Sequence, residues 1–180
     1  MNKILLLPLI FIFIGCGTPR SQLKGHCKLK IDTVDEFTKK RILQTREESF
    51  TISGMGLGTS TYVYSKKVDE KTYLIFHIVS PSAFSIHEGN NIMLLFKDDS
   101  VLEIPFENTE IADFTYIDGI GSIWSVRSYF ELPENEIQIL KEKKVKKLRI
   151  YFSDSYFEDD VKELRQDNIA SVLKCIEAYQ

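Results

Sequence analysis

The sequence predicts an α+β fold, in which an antiparallel β-sheet, folded as a sandwich or half-barrel, is packed by a C-terminal amphipathic helix. Three observations favour this class. Segments rich in β-branched and aromatic residues follow one another between residues 27 and 152, separated by short polar turns. An apolar face with helical spacing lies near the C-terminus. A chain of 180 residues is long enough for one good core but not comfortably for two.

Nine segments are predicted to contain strands, because their residues alternate between apolar and polar or are rich in β-forming side chains. Residues 71–80 (KTYLIFHIVS) are apolar on both faces, which is typical of a strand in the middle of a sheet. The polar residues 97–100 predict the turn of one hairpin, and Gly119 and Gly121 predict that of a second. The segments are residues 27–31, 41–53 (which contains one strand), 60–68, 71–80, 91–96, 101–106, 113–119, 122–132 and 145–152.

Two helices are predicted in addition to these strands. Pro133 begins the first, ENEIQILKEKK, because proline suits the first helical position and acidic residues suit the first turn. The last helix is predicted to start at a capping box, in which Ser155 is followed three residues later by Glu158. Its apolar face, which also carries Cys175, comprises Val161, Leu164, Val172, Ile176 and Tyr179, with Ile169 at the edge.

The overall charge excludes one class of partner. The formal net charge of the chain is -3, so no global basic field draws nucleic acid to it, and DNA or RNA binding is not expected. The one basic run, KEKKVKKLR (141–149), contains six Lys or Arg residues and one Glu. The favoured interpretation is a solvated helix end followed by the outward face of a strand. The alternative is contact with anionic headgroups or lipopolysaccharide near a membrane.

The N-terminus predicts export. Residues 1–3 form a short positive region, the eleven residues from Ile4 to Ile14 are apolar, and the small Gly15 follows them. Eleven residues is far short of the ~20 that a membrane-spanning helix needs. No polar face alternates with the apolar residues, so the pattern is not that of a core helix either. It is typical of a secretory signal.

The residues around Cys16 make this signal more specific. Phe13-Ile14-Gly15-Cys16 resembles the lipobox of bacterial lipoproteins, although Phe13 replaces the usual leucine and Ile14 the usual small residue. The resemblance implies that the thiol of Cys16 is diacylated and that signal peptidase II then cuts before it. Residues 1–15 would accordingly be a signal peptide. The alternative is ordinary secretion with a spare cysteine.

The stretch after Cys16 predicts a flexible tether and a location in the cell envelope. GTPRSQLKG is polar and contains Gly and Pro, so we assign residues 16–25 to the lipidated cysteine and a flexible tether. Residues 26–180 are then a single β-rich globular domain. Early acidic residues often signal surface export or inner-membrane retention in lipoprotein families. Their absence near Cys16 favours the periplasmic face of the outer membrane.

The cysteine count leaves one candidate pair. With Cys16 acylated, Cys27 and Cys175 remain, an even number in an oxidising compartment. They lie near the two ends of the domain, so a disulfide between them would close almost the whole chain. The alternative is two unpaired thiols, because sequence cannot show that the two residues meet.

No motif in the chain predicts catalysis, a cofactor or a metal site. Gly54, Gly56 and Gly58 match neither the dinucleotide-binding nor the Walker pattern, so a glycine turn or a strand bulge is favoured. His26 and Cys27 are adjacent and would point to opposite faces of a strand, which separates them as base and nucleophile. We therefore expect a non-enzyme without cofactors.

The other histidines give weak alternatives to that expectation. His77 lies in the most apolar strand, where a core residue with a satisfied partner is commoner than a ligand. The least unlikely catalytic patch combines His87, Glu88 and Ser85, but it lacks zinc-site spacing and a nucleophile elbow. DSYFEDD (154–160) lacks the glycine and the alternating oxygen ligands of a calcium loop.

A second, short resemblance covers DTVDEFTKKRILQT. It is similar to a segment of small uncharacterised exported proteins of Bacteroidota, in which D-x-F-T is followed by a turn, lysines and a threonine. The matching residues are Asp35, Phe37, Thr38, Lys40 and Thr45, whereas Lys39 stands where glycine is expected. This resemblance implies a family without an assigned activity.

Together these observations predict a lipid-anchored protein of the cell envelope with a binding or structural role, held to the membrane by its lipid and contacting an envelope protein partner. Two alternatives stay open: an envelope hydrolase with a dispersed site, and an immunity or inhibitor lipoprotein. A binding role predicts an exposed apolar or aromatic patch, with Trp124 and Tyr129 or the tip at Gly54–Gly58 as its candidate locations.

Overall fold

Thirteen β-strands, two α-helices and one 3-10 turn form the part of the chain that the computed structural model describes, residues 27–52, 58–119 and 121–179. Helix α1 spans Glu134–Glu142, α2 spans Asn168–Glu177, and the 3-10 turn spans Glu163–Arg165. The strands are β1 Leu29–Val34, β2 Arg41–Thr45, β3 Glu48–Thr51, β4 Ser60–Val68, β5 Lys71–Ser80, β6 Ser85–Ile86, β7 Asn91–Phe96, β8 Val101–Pro105, β9 Glu110–Ile111, β10 Asp113–Ile117, β11 Gly121–Glu131, β12 Val145–Tyr151 and β13 Tyr156–Asp160.

The strands form one large and two smaller antiparallel sheets. In the larger sheet the order is β1-β2-β4-β5-β11-β10, and β3 also pairs with β4. The four-stranded sheet has the order β13-β12-β7-β8, and β6 pairs with β9. The α+β class, with a mostly antiparallel sheet that curls into a half-barrel and a helix at the C-terminus, is therefore confirmed.

The core lies between one face of the larger sheet and one face of the four-stranded sheet. Phe76, in the central strand β5, is fully buried, and its ring meets Phe50 and Phe130 edge-on at centroid distances of 6.2 and 6.0 Å. Helix α2 adds its apolar side chains to the same core and contacts β2, β3 and β4. Neither helix has the length and apolar character needed to cross a bilayer, and no other described helix does.

The predicted start of the last helix is wrong. Tyr156–Asp160 is strand β13, which pairs with β12, and α2 begins only at Asn168. Glu158 does not cap a helix, because it lies opposite Arg149 and forms ion pairs with Arg149 and Lys147. Leu164, expected on the apolar face, is 96% exposed in the 3-10 turn. Cross-strand charge pairing therefore outweighs the local capping pattern.

Residues 41–53 contain two strands instead of the one expected. Strand β2 pairs with the C-terminal part of β4, from Lys66 to Val68, and β3 pairs with its N-terminal part, from Thr61 to Val63. The two strands therefore pair with successive parts of β4, and Arg46 and Glu47 separate them. This interruption places the Glu47 carboxylate beside β5, where it becomes part of the cluster described below.

The D-x-F-T segment is the turn between β1 and β2. One carboxylate oxygen of Asp35 accepts hydrogen bonds from the backbone N–H of Phe37 and from both the N–H and the hydroxyl of Thr38. Lys39 has φ of +60°, the left-handed region that favours glycine. This conformation explains why glycine is expected at that position. The segment is a structural turn motif.

Candidate functional site

The structure joins Cys27 to Cys175 by a disulfide, with the two Cα atoms 5.4 Å apart. The bond fastens the beginning of the described chain to α2. Tyr179, two residues after α2, donates a hydrogen bond from its hydroxyl to the Cys27 carbonyl at 3.3 Å, which strengthens the same junction. Cys16, the predicted lipidation site, lies outside the described residues, as does His26.

His77 lies outside the core cluster, on the opposite face of β5 from Phe76 and Ile78. Its side chain is only 12% exposed, and Nδ1 is 3.2 Å from Oε2 of Glu47. A carboxylate only accepts hydrogen bonds, so Nδ1 carries the proton and donates a hydrogen bond to Glu47. In the neutral imidazole Nε2 is then left as the acceptor.

Arg127 completes a charge cluster around His77. It lies directly opposite His77 in the pairing of β5 with β11, and its Nε is 3.7 Å from the other carboxylate oxygen of Glu47. Burial lowers the pKa of His77, the hydrogen bond to Glu47 raises it, and the charges of Arg127 and Lys30 lower it again. The net result is a pKa below the usual histidine value, which favours the neutral ring.

Tyrosines extend this cluster along the same face of the sheet. The ring of Tyr62 lies 5.7 Å from that of His77, and Tyr64 and Tyr129 lie on the same face of the sheet, each directly opposite Ile75. Burial and the neighbouring Tyr129 raise the pKa of Tyr64 above its usual range. We call Glu47, Tyr62, Tyr64, His77, Arg127 and Tyr129 the outer-face cluster.

The outer-face cluster orients the imidazole of His77 through its hydrogen bond to Glu47. The pair of His77 and Glu47 has the arrangement of a base and its orienting carboxylate. However, the hydroxyls among the six members belong to tyrosines, and Tyr64 is 3% exposed. The structure shows the cluster as a network that connects Glu47, between β2 and β3, with β4, β5 and β11.

Stability should fall as the pH is lowered from 7.5 to 5.5, and His77 should account for part of that fall. The unfolded chain, with a histidine pKa of about 6.5, takes up the proton at a higher pH than the folded protein does. Protonation therefore favours unfolding in this window. Urea denaturation at several pH values should show a shallower pH dependence for His77→Gln than for the parent protein.

The Glu47→Gln variant tests whether Glu47 raises the pKa of His77. Glu47 is the group that raises the pKa of His77, so its removal should lower that pKa further. An NMR titration of the His77 ring measures the change directly. A rise of the pKa in Glu47→Gln, or an unchanged pH dependence in His77→Gln, would contradict the assignment.

The structure does not assemble His87, Glu88 and Ser85 into a patch through their side chains. The backbone N–H of His87 donates to Oδ1 of Asn90 at 2.8 Å, within an exposed turn. Glu88 donates its backbone N–H to the Thr109 hydroxyl, and the Ser85 hydroxyl lies 2.6 Å from that of Ser153. Within residues 27–52, 58–119 and 121–179, no three His, Cys, Asp or Glu side chains are grouped to hold a metal ion.

The basic run is neutralised by acidic partners. All six of its cationic side chains form ion pairs, and Lys147 has a second pair with Asp160 at 3.6 Å. This pairing supports the interpretation as a solvated surface rather than one that attracts anionic headgroups. The pairs are Lys141 with Glu177 (3.0 Å), Lys143 with Asp98 (2.8 Å), Lys144 with Asp167 (2.8 Å), Lys146 with Asp99 (3.3 Å), Lys147 with Glu158 (2.8 Å) and Arg149 with Glu158.

A group of exposed aromatic side chains lies on the hairpin of β10 and β11. All five residues of β10 are exposed, including Phe114 at 55% and Tyr116 at 63%. Trp124 lies directly opposite Phe114, with ring centroids 5.2 Å apart. We call strand β10 with the side chains of Phe114, Tyr116 and Trp124 the aromatic edge.

Sequence reasoning found only part of this surface. It named Trp124, which belongs to the aromatic edge, and Tyr129, which is half-exposed in the outer-face cluster. It missed Phe114 and Tyr116, although the alternating pattern F-T-Y in a hairpin arm would have placed both on one face. The glycine tip cannot be compared, because residues 53–57 lie outside the described residues.

Comparison with known proteins assigns no family. Neither a protein-family model, nor a curated protein, nor a solved structure matches the chain significantly.

Proposed function

We propose that this protein is a lipid-anchored component of the cell envelope that acts by binding a partner through the aromatic edge. Residues 1–15 are the signal peptide, Cys16 is lipidated, residues 16–25 are the tether, and residues 26–180 are the binding domain. The domain faces the periplasm from the outer membrane, where its partner is an envelope protein.

One observation supports the proposed cellular compartment. The disulfide between Cys27 and Cys175 is the kind of bond that persists in oxidising compartments such as the periplasm and is rare in the cytosol. It supports the same compartment as the apolar run before Gly15, by an independent argument. Two or more acyl chains on Cys16 would hold the protein stably at a membrane, whereas a single chain gives only marginal binding.

The aromatic edge supports a binding role rather than hydrolysis. Aromatic side chains that are exposed together on one strand contact solvent at a free-energy cost, which a partner would remove. The hydrolase alternative has less support, because the Ser85 hydroxyl contacts that of Ser153 and the described hydrogen bond of His87 is made by its backbone. An inhibitor lipoprotein would be one form of the proposed binding protein.

The anchor has a direct test in the Cys16→Ala variant. Intact-mass measurement of membrane-extracted parent protein should show acyl chains and a new N-terminus at Cys16, because the thiol is the attachment point. Cys16→Ala should lose the acyl mass and keep residues 1–15, because signal peptidase II cuts only after diacylation, whereas the neighbouring Gly17→Ala should be acylated and cut. A parent protein that starts elsewhere without acyl mass would contradict the proposal.

The binding surface can be tested by site-specific photo-crosslinking in the native envelope. A photoreactive residue at Tyr116 should give a discrete crosslinked species, and Phe114→Ser should abolish it. The matched control is the same residue at Tyr156, which is 59% exposed on β13 of the four-stranded sheet. Identical crosslinking patterns at the two positions would contradict a binding role for the aromatic edge.

A further inference from the structure

We propose that the partner at the aromatic edge is an extended, positively charged peptide segment of another protein, which adds to the larger sheet as a strand beside β10. This inference rests on the proposed binding function and specifies its mode and its ligand class. Strand addition uses the backbone of an edge strand for affinity and its alternate side chains for specificity.

Strand β10 has the position that this mode requires. It is the last strand in the order of the larger sheet, and β11 is its only partner among the described strands. A terminal strand presents unpaired backbone N–H and C=O groups along its outer side. Five residues span about 17 Å, enough to pair with a peptide of similar length.

The other terminal strands of the larger and four-stranded sheets carry more features that discourage strand addition than β10, which has only Asp113 at its start. Charged side chains, proline and β-bulges protect sheet edges. From Phe114 to Ile117, β10 has none of these, and its register with β11 is continuous. The protecting features elsewhere are Lys30, Asp32 and a bulge after Leu29 in β1, Glu103 and Pro105 in β8, and Glu158, Asp159 and Asp160 in β13.

Charge complementarity identifies the peptide as basic. The stretch from Val101 to Val126 contains no Lys, Arg or His, so the sequence around β10 has a single sign of charge. Asp113 is the first residue of β10, and Asp118 directly follows its last residue. The five acidic residues of the stretch from Val101 to Val126 are Glu103, Glu107, Glu110, Asp113 and Asp118.

The same charges disfavour a second copy of this chain as the occupant. An antiparallel pair of β10 strands centred on Thr115 would place Asp113 of one copy directly opposite Ile117 of the other, one residue from Asp118, at both ends. Two carboxylates would then lie near each end of the paired strands, and like charges repel. A peptide with lysines or arginines at its ends would pair with these acidic residues. Alternate β-branched residues in the same peptide would pack against Phe114 and Tyr116.

The probe for the test is an alternating lysine–valine heptapeptide, and the reporter is Trp124, the single tryptophan of the chain. Titration at low salt should change the tryptophan fluorescence saturably. The alternating glutamate–valine peptide should bind at least tenfold more weakly.

At saturation with the lysine–valine peptide, hydrogen exchange of the outward-facing amides in residues 113–117 should slow at least tenfold, because those amides gain hydrogen-bond partners. Phe114→Ser/Tyr116→Ser should weaken binding at least tenfold, and Tyr156→Ser should not.

Two further results would overturn strand addition. One is fluorescence-detected binding without added protection of β10 amides. The other is equal binding by a lysine–valine peptide that is N-methylated along one edge. Failure of the lysine–valine peptide to bind, together with a specific crosslink at residue 116, would overturn this inference and leave the proposed binding function standing. Circular dichroism of the exposed-site variants checks that they are folded.

Discussion

The double variant Cys27→Ser/Cys175→Ala should lose about 2–5 kcal/mol of unfolding free energy. The disulfide joins residues separated by 148 positions, so nearly the whole domain lies within the closed loop. In the chain-entropy account a loop of this length restricts the unfolded chain strongly, and the upper limit of the effect is about 5 kcal/mol. The loss would also free the first residues of the domain from α2.

Urea denaturation with and without reductant measures this effect. The parent protein should lose stability on reduction, while the double variant should have the same midpoint under both conditions. Parent midpoints that coincide with and without reductant would show that the bond contributes nothing to stability.

The Phe76→Ala variant should be destabilised by about 3–5 kcal/mol. Phe76 is fully buried in the central strand, and its ring contacts Phe50 and Phe130, so truncation removes apolar burial and leaves a cavity between the two sheets. The neighbouring rings cannot collapse into that space without moving their own strands. Few single substitutions in this domain should have a larger effect.

Phe37→Ala is the control for Phe76→Ala, since Phe37 is 95% exposed in the turn between β1 and β2. The same side-chain change there should alter the free energy of unfolding by less than about 0.5 kcal/mol. Equal losses in the two variants, measured by urea denaturation, would contradict the position of Phe76 at the centre of the core.

The strands were the most predictable part of the fold. Strands β4, β5 and β7 have the predicted bounds, because local composition and the flanking turns both mark them. The last helix shows where this reasoning fails. Ser155 and Glu158 form a sound local capping pattern, but pairing with β12 makes that segment a strand. Strand β12 ends at Tyr151, only five residues before β13 begins at Tyr156, so the two strands form a hairpin that the capping pattern by itself does not indicate.

The candidate surfaces were less predictable for the same physical reason. The partners of His77 are Glu47, thirty positions before it, and Arg127, fifty positions after it, and strand register alone brings them together. Trp124 could be proposed from residue type. Whether β10 is a terminal strand depends on the order of strands in the sheet, which composition does not encode.

The disulfide also has a consequence for how the domain is presented to its surroundings. It fixes the start of the domain beside β1, at one end of the larger sheet, whereas β10 lies at the other end, five strand spacings away. At about 4.8 Å for each spacing, the path across the sheet is about 24 Å. With Cys16 lipidated as proposed, the tether joins the domain beside the first strand of the larger sheet, and a partner at β10 would pair with the last strand in the order.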